Sequence, residues 1–144
     1  MKEYSIREIS GMFHLPPSTL RYYEEMGILT QVGRSPSGQR VYYDMHINRL
    51  RTVCCFKKTG MTISQLKAFF SYESAEPEHI DDILALLRAQ EKTVAEEIRQ
   101  LQQAHTHVLR KLRYYGDIKN ALEANQPLPE WNSYKSAVFD AQTP

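Results

Sequence analysis

The chain has 144 residues, of which 42% are hydrophobic and 24% charged, with a formal net charge of +1. Such totals describe a soluble globular protein and exclude a disordered or a membrane-spanning one. No apolar run approaches the ~20 residues of a bilayer span, and Met1-Lys2-Glu3-Tyr4 opens no signal-peptide core. The expectation is a cytoplasmic protein with no membrane partner, and the adjacent Cys54 and Cys55, which cannot form a disulfide framework, agree with a reducing compartment.

The small net charge hides an asymmetry. Residues 1–70 hold 10 Lys and Arg against 5 Asp and Glu, whereas residues 71–144 hold 8 against 12, giving +5 and −4. A basic half joined to an acidic half points to a nucleic-acid module attached to an assembly module.

Ser5-Ile6-Arg7-Glu8 has the spacing of a capping box, with Tyr4 and Ile9 at the two staple positions. Ile6, Ile9 and Phe13 then form the apolar stripe of a first helix. After Pro16-Pro17, the stretch from Ser18 to Gly27 reads as a second helix, with Pro17 at a first helical position and Gly27 as its stop. Leu20 and Tyr23 share its inner face. Ser18, Arg21 and Tyr22 share the outer one, where two hydroxyls and a guanidinium offer a phosphate backbone donors and fixed charge. Two short helices and a tight turn make a helix-turn-helix candidate.

Pro36, Ser37 and Gly38 are turn formers between Val32 and Val41-Tyr42-Tyr43. They predict a β-hairpin tipped with Gly38 and carrying Arg34 and Arg40, a wing whose basic side chains reach a backbone or a minor groove. A solvated loop with two surface arginines is the plainer alternative. Asp44 is placed as the cap of a third helix over 45–59, with Ile47, Leu50, Val53, Cys54 and Phe56 inward, Arg49, Arg51, Lys57 and Lys58 outward, and Gly60 at its end. Thr62-Ile63-Ser64-Gln65 starts a fourth, with Leu66, Phe69 and Phe70 inside.

Residues 71–76 read as a polar break. From Pro77 onward, Ile80, Leu84, Leu87, Glu91, Val94, Ile98, Leu101, His105, Val108, Leu112 and Tyr115 alternate in steps of four and three, the seam of a coiled coil. A helix over 77–115 would be about 58 Å long and has too little head to cover that seam. A second copy of the chain is the expected partner. Gly116 is expected to break the helix, with a short helix from Asp117 to Ala124 beyond it. Trp131 is expected to pack on the coiled coil or on the partner subunit, and the last residues to lack fixed structure.

The fold class is therefore all-α with a small β wing. The expected domains are a winged helix-turn-helix head over 1–74, a dimerisation helix over 75–116, and a short helix and tail over 117–144. No Gly-rich phosphate loop, metal pair or Ser/His/Asp order supports an enzyme or a cofactor. A coiled-coil adaptor without DNA binding would explain 77–115 but not the basic head.

In order and spacing, Thr19-Leu20-Arg21-Tyr22-Tyr23-Glu24 with Gly27-Ile28-Leu29, then Ser37-Gly38-Gln39-Arg40-Val41-Tyr42, then Gly60-Met61-Thr62-Ile63, resemble the MerR family of bacterial transcriptional regulators over residues 4–115. The resemblance implies a homodimer of winged heads joined by an antiparallel coiled coil and bound to double-stranded promoter DNA. It also implies a mechanism, in which a signal makes the dimer distort an over-long promoter spacer so that RNA polymerase can use it. Carried over, Arg21 and Tyr22 would hold phosphates, Arg40 and Tyr42 would support or contact the backbone from the wing, Ser18 and Thr19 would donate to base edges or phosphates, and Lys57 would be an outer contact. The family's usual Ser or Thr cap of the second helix is replaced here by Pro16.

A metal signal needs soft ligands near the end of the long helix, and no cysteine follows Cys55. The position of Cys55 resembles the single cysteine of the family's aldehyde- and thiol-stress branch, with Arg51 and Lys58 one turn to either side. A buried small apolar side chain is the alternative for Cys55. A non-covalent effector between tail and head is the alternative signal.

Overall fold

The structure, a computed structural model, describes residues 2–134. Its elements run β1 (Tyr4–Ser5), α1 (Ile6–Phe13), α2 (Pro17–Glu25), β2 (Gly33–Arg34), β3 (Arg40–Tyr42), α3 (Asp44–Lys58), α4 (Ile63–Glu73) and α5 (Glu76–Glu123), followed by a single 3₁₀ turn at Trp131–Ser133. Contacts divide the chain into two units, residues 1–91 and 92–144, with the division inside α5.

In the first unit the capping box forms as expected: Glu8 N donates to Ser5 Oγ and Ser5 N to Glu8 Oε2. The second box forms in the same way between Thr62 and Gln65. Gly27 and Gly60, both at positive φ, close α2 and α3. In each case the glycine and the residue after it donate back to the helix, Gly27 to Glu24 and Ile28 to Tyr23, Gly60 to Lys57 and Met61 to Phe56. The left-handed turn that this needs is open to glycine at no steric cost. The hydrophobic residue after each glycine, Ile28 or Met61, is then fully buried.

The wing is a three-stranded antiparallel sheet in the order β1-β3-β2. The strand added to the expected hairpin is β1, in which Tyr4 pairs with Tyr42 and Ser5 with Val41. That pairing fixes the start of α1 against the wing.

Asp44 is not the cap of α3. Tyr43 takes the cap position, and the Asp44 carboxylate accepts the Tyr4 hydroxyl at 2.9 Å. His46 closes the turn instead. It is buried, with Nδ1 accepting from Tyr43 N at 2.9 Å and Nε2 2.7 Å from the Thr30 carbonyl, so the ring carries its proton on Nε2. Arg49, expected outside, lies over the Phe70 ring at 4.5 Å and donates to the Ile28 carbonyl at 3.2 Å. Ile83, Leu86 and Leu87 of α5 pack on the core, and Gln90 Nε2 donates to Thr59 O and Oγ1 at 2.7 and 2.8 Å. These residues of α5 belong with the first unit, residues 1–91.

In the second unit, α5 does not break at Gly116; it continues to Glu123 and turns at Asn125, which has φ 52°. A mid-helix glycine costs about 1 kcal/mol, and tertiary contacts on both sides of it offset that. Tyr134 donates to Asp117 Oδ2 at 2.5 Å, and Trp131 packs against Tyr114 at 5.4 Å and His107 at 5.8 Å. The Lys111 ammonium lies 3.7 Å from the Trp131 ring centre. Trp131 therefore packs on the long helix of its own chain, one of the two expected places. The expected separate helix after Gly116 is the last part of α5. The expectation of an unstructured terminus lies outside the described residues.

Along α5, Ile98, Leu101, Val108 and Leu112 are more than half exposed within the single chain. Among the described residues, no helix is long and apolar enough to cross a membrane.

Candidate nucleic-acid interface

α2 starts without a side-chain cap, since Pro16 has none to give, and the Pro16 carbonyl accepts from Thr19 N and Leu20 N. Burying Leu20 and Tyr23 turns Ser18, Arg21 and Tyr22 outward, with Tyr22 44% exposed. Thr19 is half-buried and presents less of itself.

The wing reaches back to this helix through one carboxylate. Arg40 Nε donates to Glu24 Oε2 at 2.6 Å, and Arg34 Nη2 lies 3.6 Å from Glu24 Oε1. Arg34 also donates to the Gly38 carbonyl at 3.4 Å, across the tip of the hairpin. The hydrogen bond to Glu24 raises the pKa of Arg40 and keeps its guanidinium charged. Glu24 is thus the residue that ties the hairpin to α2, a role that its place in the sequence does not reveal.

Arg21, Arg34, Gly38 and Arg40 line one open cleft of about 550 Å³ between α2, the wing and the start of α1. Ser5, Arg7 and Gln39 complete its polar lining, and among the described residues no acidic side chain lines it. Sequence alone does not single out Arg7, because its place depends on the two-residue strand β1, which is too short to show a period.

The remaining candidates lie elsewhere. Tyr42 is wholly buried, edge-on to His46 at 5.6 Å. From there it supports the wing and cannot touch a ligand, and burial raises the pKa of its phenol. Lys57 sits at the end of α3, outside the cleft, and its ammonium donates to the Met61 carbonyl at 3.3 Å. Cys55 is exposed on α3 within the single chain. Cys54 is half-buried, and burial pushes its thiol pKa up against the opposing pull of Lys58. Among the described residues no three His, Cys, Asp or Glu side chains gather as a metal site.

Residues 4–73 match the sequence profile of the MerR HTH family regulatory proteins. An HTH-type transcriptional regulator of Haemophilus influenzae, itself uncharacterized, is 32% identical over 116 residues, which cover 81% of this chain and 86% of that one. A MerR family transcriptional regulator from Bacillus thuringiensis matches in structure with a TM-score of 0.65 at 27% identity, over 78% of this chain and 98% of that one. The fold also matches HiNmlR, a MerR family regulator lacking the sensor domain and bound to promoter DNA, with a TM-score of 0.74 at 24% identity over 94% and 97% of the two chains.

Proposed function

The chain belongs to the MerR family of transcriptional regulators, and from that premise we propose that it binds promoter DNA as a homodimer and activates transcription by distorting an over-long spacer for RNA polymerase. The observation that carries the DNA-binding reading is the arginine cleft beside the outer face of α2. Four guanidiniums against the single carboxylate of Glu24 leave about three positive charges facing one opening. Backbone phosphates fix such a head on the duplex, and side chains at Ser18 and Tyr22 extend the same surface.

The dimer reading is supported by the exposed apolar residues of α5. Leu101 is 72% and Leu112 68% exposed, at seam positions where a second helix would cover them. The signal we propose is an electrophile taken up by Cys55, a reading its exposed thiol supports.

The reading is tested by transcription in vitro from the promoter nearest the gene, with the spacer shortened one base pair at a time. Protein-dependent transcription is expected on the native spacer and should vanish as the spacer approaches the length the polymerase uses unaided. An equal response at every length would refute the distortion mechanism. An electrophile that acts equally on the parent and on Cys55→Ala would refute the proposed signal.

A further inference from the structure

We infer that Arg7 is a phosphate-contacting residue, which together with Arg21 seats one backbone phosphate of the duplex in the cleft between the first turn of α1 and the wing. This rests on the DNA-binding reading above and adds to it a contact from an element outside both α2 and the hairpin.

Backbone pairing brings Arg7 there. Ser5 stands opposite Val41 of β3 in the register of the sheet and also caps α1, so the first turn of α1 is fixed to the sheet that carries the wing. Arg7, two residues on, projects its side chain into the same cleft as Arg21 and Arg40. The charges differ in their availability. Arg34 and Arg40 share the carboxylate of Glu24. Glu8, the nearest acid in sequence to Arg7, is engaged with the Ser5 backbone at 2.7 Å. Among the described residues Arg7 and Arg21 take part in no ion pair, and Arg7 is exposed. Two unpaired guanidiniums facing one opening suit a phosphodiester, because each planar fork can donate to a separate oxygen.

The test is the salt dependence of duplex binding for the parent, Arg7→Ala and Arg7→Lys. Each phosphate contact contributes about 0.9 to the slope of log K against log salt. Arg7→Ala should flatten the slope by about that amount on every duplex, specific or not. Between 1 M and 0.1 M salt Arg7→Ala should therefore gain about eightfold less affinity than the parent gains. Arg7→Lys keeps the charge and should keep the slope. Melting curves matching the parent are expected for both variants, since Arg7 is exposed and outside the core.

If Arg7→Ala binds with the parent's slope, Arg7 touches no phosphate and the inference falls while the DNA-binding reading stands. Equal weakening by both variants with no change of slope would make Arg7 a structural residue and also overturn the inference. If the parent itself binds no duplex, both readings fall together.

Discussion

Glu24→Gln tests the link between α2 and the wing. The parent carboxylate receives Arg40 at 2.6 Å, with the two side chains 22% and 26% exposed, and Arg34 at 3.6 Å with its side chain 48% exposed. A charge-assisted hydrogen bond contributes about 1.5–3 kcal/mol when well buried. Solvent reaches about a quarter of this pair, so ~1–2 kcal/mol is the reasonable figure, and the Arg34 contact adds little. Glutamine keeps an acceptor for Arg40 and loses the charge, so about 1 kcal/mol of stability should be lost. In a head of this size that is ~4–8 °C of melting temperature. The same change raises the net charge at the cleft by one. Binding to non-specific duplex should therefore become tighter at low salt, with a slope steeper by up to ~0.9. Urea unfolding gives the first quantity and fluorescence anisotropy across a salt series the second. A variant as stable as the parent, with an unchanged slope, would refute Glu24 as the tie between helix and hairpin.

Other substitutions probe the fold and the thiols. Gly116 lies inside α5, and a methyl group at its Cα would meet nothing within 4 Å. Gly116→Ala should therefore stabilise the protein by about 0.5–1 kcal/mol in thermal unfolding; a loss would mean that an approaching chain needs the space. His46→Leu leaves Tyr43 N–H and the Thr30 carbonyl, in part-buried contacts beside the buried ring, without their partner. Its cost should be about 2–4 kcal/mol in urea unfolding, and a cost below ~0.5 kcal/mol would show that these groups find other partners. For the cysteines, burial raises the folded pKa of Cys54, so its thiolate, the reacting form, appears at higher pH than in an unfolded chain. Iodoacetamide at neutral pH should label Cys55 first, with Cys54 following as the pH rises or the protein unfolds. Peptide mass spectrometry showing equal rates at every pH would contradict this.

Local signals in the sequence proved reliable. The two capping boxes, the stops at Gly27 and Gly60 and the inward residues Leu20, Tyr23, Leu50, Val53 and Leu66 all stand where spacing placed them. These features are decided within one or two turns of backbone, so sequence carries them. Features that local spacing does not carry depend on partners far along the chain. Asp44 loses its cap role to the hydroxyl of Tyr4, 40 residues away, and Arg49 is drawn inward by Phe70 and the Ile28 carbonyl. Gly116 does not stop α5, because contacts from Trp131 and Tyr134 hold the helix on both sides of it. At the candidate site, Arg21, Arg34 and Arg40 were legible as basic residues of a helix and a hairpin. Arg7 and Glu24 were not, since only the pairing of β1 with β3 and the fold of the wing onto α2 bring them into place beside the other arginines.

DNA binding by the dimer is measured by titrating the parent protein onto a duplex carrying its own promoter, and onto a scrambled duplex, at several salt concentrations. About three net charges at each cleft and two heads per dimer correspond to about six neutralised phosphates, hence a slope near −5 in log K against log salt. That slope is expected, with two chains per promoter duplex and tighter binding to the promoter than to the scrambled sequence. A slope near zero, or one chain per duplex, would contradict it.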